Sequence, residues 1–202
     1  MRHAHVDRGI RLEYLTVGWN LLECAVAVFF GAAAGSIALI GFGVDSAIES
    51  ASGFVLLWRL RAERRGDHPD ALEQKALRLV GLSFFLLAAY VALESARSLW
   101  SREASEGSLP GIILACLSLI VMPLLARAKR ATAADLHSAA LHADSRQTSL
   151  CAYLSAILLG GLALNATLGW WWADPVAGLL MTPIIAREGW EAFRGERCPD
   201  CH

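Results

Sequence analysis

Six apolar stretches follow one another along this chain with short polar breaks between them, each near the ~20 residues that a helix needs to cross the ~30 Å hydrocarbon core of a bilayer. They run at roughly 15–38, 39–60, 76–100, 109–127, 141–165 and 170–191. Lipid offers a backbone no hydrogen bonds, so runs of this length satisfy their own as helices. The expected fold class is therefore all-α, a bundle of six transmembrane helices. Composition agrees: 55% of residues are hydrophobic and only 18% are charged, against roughly a quarter charged in soluble domains. The 18 Lys and Arg residues are scattered and the net charge is -1, so no basic block is available to nucleic acid. No phosphate-cradling glycine loop precedes a Lys-Ser/Thr pair, and no nucleophile context for a Ser/His/Asp set appears. An ATP-driven pump or other enzyme is not expected.

Positive charge orients the bundle. Arg2, Arg8 and Arg11, then Arg59, Arg61, Arg64, Arg65, Lys75 and Arg78, then Arg127, Lys129 and Arg130, and finally Arg187, Arg194 and Arg197 fall on one side. Cytoplasmic loops carry that excess, so both termini are expected in the cytoplasm, with the protein in the plasma (inner) membrane. The domains read as a cytoplasmic segment 1–14, a transmembrane domain 15–193 and a short tail 194–202. The polar start precedes an apolar run too long for a signal-peptide core, so no cleaved signal is expected. Trp170, Trp171 and Trp172 suit the headgroup layer before the sixth span. Gly31, Gly35, Gly160 and Gly161 are expected to let helix backbones approach. Five cysteines, an odd number, argue against disulfides. Cys198 and Cys201 with His202 have the spacing for one tetrahedral metal, completed across two tails, though redox-inert disorder fits equally.

Asp45 and Glu49 stand four residues apart inside the second span. Positions i and i+4 share a helix face, and two carboxylates there form a divalent cation site in a place where charge is costly. Their surroundings, Val44-Asp-Ser-Ala-Ile-Glu-Ser50, are echoed by Ala143-Asp-Ser-Arg-Gln-Thr-Ser149, which puts Asp144 in register with Asp45. Measured from Asp144 on an ideal helix, Gln147 lies near about -60°, Thr148 near about +40° and Cys151 near about -20°, one polar stripe. The candidate metal residues are therefore Asp45, Glu49, Asp144, Gln147 and Cys151. Carboxylate oxygens with one thiolate favour Zn²⁺; without the thiolate the same acids suit Mn²⁺, Fe²⁺ or Co²⁺.

Plainer readings stand beside these. Asp144 also fits a helix N-cap with Arg146 snorkelling to headgroups, and Cys151 fits a small buried apolar residue. Glu23 with Asn20 fits equally a group lining the ion path or accepting a proton and an interhelical hydrogen bond, Glu94 with Arg97 an ion pair, and Asp174 a helix-orienting role. His137, His142 and Asp135, and His68 with Asp67 and Asp70, form loop clusters that solvated His and Asp often make without binding anything.

The acids four apart in the second span, Glu94 in the third, and Gly169-Trp170 followed by Ala173-Asp174-Pro175 before the sixth resemble the cation diffusion facilitator family, divalent cation/proton antiporters. The resemblance covers almost all of 15–193. It implies a six-helix transporter, usually a homodimer, with its metal site between the second and fifth helices. That family's fifth span usually carries His-x-x-x-Asp, where this chain has Gln147 and Cys151, and a cytoplasmic metal-sensing domain usually follows, where this chain stops about ten residues after the sixth span. The expected function is export of a divalent metal cation in exchange for protons, the ion being cargo and no cofactor permanently bound. A membrane metal sensor and a non-transporting interaction subunit are the alternatives.

Overall fold

The structure is a computed structural model that describes residues 2–34, 37–66, 69–102 and 109–194. Six helices fill it: α1 (Arg2–Ala34), α2 (Ile37–Arg64), α3 (Pro69–Ser101), α4 (Leu109–Leu136), α5 (Ala139–Leu168) and α6 (Ala173–Arg194). No strand occurs among the described residues. Helices α1 to α5 are long and apolar enough to cross a membrane. The shortest helix, α6, has 22 residues, about 33 Å at the helical rise, and gathers Arg187, Glu188, Glu191 and Arg194 at its C-terminal end.

The helices outrun the apolar stretches. α1 begins at Arg2 rather than near 15, and α4 continues to Leu136 rather than ending near 127. Hydropathy marks the thickness of hydrocarbon, whereas a helix ends only where its backbone finds other partners. For α5 those partners are explicit. Ser138 is the N-cap, its hydroxyl accepting from the Leu141 N–H, and Gly169 closes the other end in the left-handed region, at φ 68°, with its N–H on the carbonyls of Asn165 and Leu164.

Packing follows a simple plan. α1 lies against α2 and α4, α4 against α5, and α5 against α2, closing a ring of four; α3 and α6 pair with each other and lean on α2 and α5. The α3–α6 contact depends on two glycines. A Cβ on Gly81 would stand 2.8 Å from the Phe193 nitrogen, and one on Gly189 would stand 2.9 Å from the Phe84 Cβ. Gly160, by contrast, faces open space, so the expected close approach there does not occur; the helices meet at other glycines.

Polarity is inverted relative to a water-soluble fold. Leu15, Phe29, Leu93, Ile120, Leu124 and Leu180 point outward, Leu93 being 72% exposed, while Glu13, Asn20, Glu23, Asp144 and Lys129 are wholly buried. Lipid reverses the usual burial preference: apolar side chains lose nothing outside, and charged ones must find partners inside. Trp170 and Trp172, stacked at 5.3 Å and partly exposed, follow the α5 cap, where an interfacial aromatic belt is expected.

Candidate metal centre

The ring is lined by four polar stripes at helical spacing: Glu13, Thr16, Asn20 and Glu23 on α1; Asp45, Glu49 and Ser52 on α2; Ser118, Lys129 and Thr132 on α4; and Asp144, Thr148, Cys151 and Ser155 on α5. All of these side chains are buried. Intervals of three and four residues, and of eleven between Ser118 and Lys129, about three helical turns, keep each stripe on one face, and packing turns those faces toward a common interior.

Two layers can be distinguished inside. In the first, the Cys151 thiol lies within hydrogen-bonding reach of the Asp45 carboxylate, and Glu23 and Glu49 are its charged neighbours. The Ser46 hydroxyl donates to Glu23 Oε2 at 3.0 Å, so the interhelical bond expected of Glu23 is made, by α2. Several atoms of this layer lack a well-aligned hydrogen bond, namely Asp45 Oδ2, both Glu49 carboxylate oxygens, Glu23 Oε1, the Asn20 amide and the Ser118 hydroxyl, although Ser118 stands near Glu23 and Asn20 and Thr148 near Glu49. Buried polar atoms are ordinarily paired, so oxygens left without a hydrogen-bond partner are the ones open to a water, a proton or an ion.

The second layer is built on Lys129. Its ammonium donates to Asp144 Oδ2 and, at 3.3 Å, to Thr148 Oγ1, and lies 3.1 Å from Glu13 Oε2. Ser52 of α2 donates to the other Asp144 oxygen at 2.7 Å. Glu49 adjoins this layer too, with Lys129 and Asp144 as charged neighbours and Thr148 and Asn20 beside it. The sequence places Lys129 in a cytoplasmic loop with Arg127 and Arg130; the structure leaves those two arginines exposed and turns Lys129 inward. What distinguishes it is phase: Met122, Ala126, Lys129 and Ala133 fall on one face of α4, and that face is buried.

The five candidate residues therefore share the interior but not one set of contacts. Asp45 meets Cys151, Glu49 lies between the layers, Asp144 is held by Lys129 and Ser52, and Gln147 accepts at its Oε1 from Ser83 of α3 at 3.0 Å. Among the described residues no three or more His, Cys, Asp and Glu are gathered as ligands of one ion. Asp144 is not the α5 N-cap, a place Ser138 fills.

Arg146 pairs across to α6 with Glu188 at 2.7 Å and Glu191 at 3.6 Å. No ion pair joins Glu94 to Arg97 among the described residues. Asp135 pairs with His5 at 3.0 Å. Asp67, His68 and the tail residues Cys198, Cys201 and His202 lie outside the described residues, as do the side chains of Asp70 and Asp174.

A third polar cluster ties the helix ends together. Arg59, buried in α2, is paired with Glu63 at 2.8 Å and with Glu73 of α3 at 2.6 Å, and Arg2 of α1 reaches Glu63 at 2.7 Å. Glu73 Oε1 also accepts from the Ser138 hydroxyl at 2.9 Å and from the Ala140 N–H at 2.7 Å. One carboxylate thus caps α5 and anchors α2.

Comparison with known proteins agrees with this architecture. A protein of Synechocystis sp. described as an uncharacterized transporter is 25% identical over 171 residues, which cover 82% of this chain and 55% of that protein. The chain thus spans about half the length of the curated relative it matches. The profile of the cation efflux transmembrane domain matches residues 14–196, nearly the whole of this multi-pass membrane bundle, and so the chain belongs to the cation efflux family.

Proposed function

We propose that the chain exports a divalent metal cation, with Zn²⁺ preferred, from the cytoplasm in exchange for protons. It works as a homodimer in the plasma (inner) membrane with both termini in the cytoplasm. One observation carries the reading: Asp45 and Glu49 are buried in the ring with oxygens that no protein group satisfies, beside the Cys151 thiol and the free Glu23 oxygen. Ionised carboxylates in a water-poor interior need a cation or a proton as counter-charge. Metal and proton then compete for the same oxygens, and their exchange is the transport reaction.

The ligands approach in pairs rather than as a finished shell, with Asp45 at Cys151 and Glu49 against Lys129 and Asp144. An arriving ion would draw Glu49 toward Asp45, so its binding and the rearrangement of the bundle are one event. A thiolate among carboxylates supports Zn²⁺ over Mg²⁺, which prefers an octahedron of hard oxygens. Protons entering from the acidic side would neutralise the same groups and release the metal.

Proteoliposomes loaded with a Zn²⁺-sensitive dye and given a pH gradient test the proposal. Zn²⁺ flux coupled to proton movement is expected. Asp45→Asn should lower it about tenfold or more, since a charge-assisted contact contributes about 1.5–3 kcal/mol. Undiminished flux in that variant would remove Asp45 from the mechanism, and no flux in the unmodified chain would reject transport.

A further inference from the structure

Lys129 is a charged side chain with no solvent exposure, and its ammonium is surrounded as a bound ion would be. Asp144 Oδ2, Glu13 Oε2 at 3.1 Å and Thr148 Oγ1 at 3.3 Å stand around it, from two helices other than its own. A fourth helix completes the cradle, since Ser52 of α2 fixes the second Asp144 oxygen at 2.7 Å. Each of these three partners is an oxygen, and two of them belong to carboxylates. Glu49, whose own oxygens are unsatisfied, adjoins the same cradle.

Two carboxyl groups, of Glu13 and Asp144, meet one ammonium, which serves as counter-charge for one of them; the other is balanced by a proton or by a further cation. A pair formed only to stabilise the bundle would need one acid; the second acid and the hydroxyl make a site with the donor number and hardness of an oxygen-liganded cation. Removing one partner of a buried ion pair leaves an uncompensated charge that is strongly destabilising unless another ion replaces it.

We propose that Lys129 is a tethered cation filling a second cation position next to the transport site, so that the pathway exchanges one divalent ion where its acids would otherwise hold two. Only the naming of the neighbouring position as the transport site rests on the function proposed above. Without the lysine, Glu13, Asp144 and Thr148 form an oxygen-only site suited to a hard divalent ion such as Mn²⁺.

The test compares the full chain with Lys129→Met in detergent. Both are first saturated with Zn²⁺, and Mn²⁺ bound is then counted by electron paramagnetic resonance. The expected result is about one Mn²⁺ per chain more for Lys129→Met than for the unmodified protein, and a larger rise in unfolding temperature on adding Mn²⁺. Equal Mn²⁺ uptake by the two proteins overturns the proposal. Should the variant be lost during preparation without metal, recovery of folded protein is compared with and without Mn²⁺ in the buffers; Mn²⁺-dependent recovery supports the proposal and equally poor recovery overturns it. In the double variant Lys129→Met, Asp144→Asn the Mn²⁺ gain should vanish, and a gain that persists overturns the assignment of Asp144 to this cradle. The Zn²⁺ bound by the unmodified chain is counted separately. Its absence would defeat the proposed function while leaving the Mn²⁺ difference between the two proteins still decisive here.

Discussion

Asp45 and Glu49 differ from Asp144 in what faces them. The first two have oxygens with no protein partner, whereas both oxygens of Asp144 are engaged, by Lys129 and Ser52. That difference separates a group free to meet an incoming ion from one already occupied. In the proposed function metal preference turns on Cys151, the soft donor in reach of Asp45. Cys151→Ser keeps a small polar side chain and removes sulfur. The ratio of Zn²⁺ to Mn²⁺ affinity, read by competition in detergent, should fall about tenfold, and an unchanged ratio would place sulfur outside the ion's shell. Metal affinity should also weaken as pH falls, since carboxylate and thiolate must shed protons to bind. A flat pH profile would separate metal binding from proton exchange. The paired acids are legible in the sequence because charge inside an apolar run is costly in any fold. Lys129 is not, since as one of three basic residues after an apolar stretch it reads like its neighbours until helix phase turns it inward.

Helix α5 is held at its start by a side chain from another helix. Glu73 accepts from Ser138 and from the Ala140 N–H while pairing with Arg59. Glu73→Ala should lower stability by about 1–3 kcal/mol, because buried donors and the Arg59 charge lose their partner. Glu73→Gln, which keeps an acceptor for the cap, should lose less; thermal unfolding in detergent distinguishes them, and equal losses would mean that the cap contributes nothing. The α3–α6 pair depends on backbone proximity instead. Gly189→Ala would force a Cβ to 2.9 Å from the Phe84 Cβ and 3.1 Å from the Gly81 carbonyl, an overpacking expected to cost about 1–3 kcal/mol. An unaltered melting curve would show that these helices can separate freely. The sequence marks the glycines but not which of them touch: Gly160 and Gly189 look alike in the chain and differ only in what stands opposite.

Across the whole molecule, the order of packing puts the chemistry in the four-helix ring and leaves α3 and α6 to brace it. Six spans in alternating directions would return the chain to the side on which it began, the side that the proposed topology makes cytoplasmic. Tags appended at the two ends should both react with impermeant reagents from the cytoplasmic face alone. Labelling of the two ends from opposite faces would remove one span from the membrane, and α6, with its charged C-terminal end, would be the one affected.

The all-helical membrane bundle and the acidic pair in its second helix were determined by the sequence, because hydropathy and the cost of burying charge are local quantities that add along a chain. The partners of those charges were decided by the tertiary structure alone. Glu13, Lys129 and Asp144 lie on three helices, and whether an ammonium cancels a carboxylate depends on distance and helix phase, which composition does not record. The same reasoning divides the candidate metal residues: their burial follows from where they stand in the sequence, whereas the engagement of Asp144 by Lys129 and of Gln147 by Ser83 follows from what α4 and α3 bring against them.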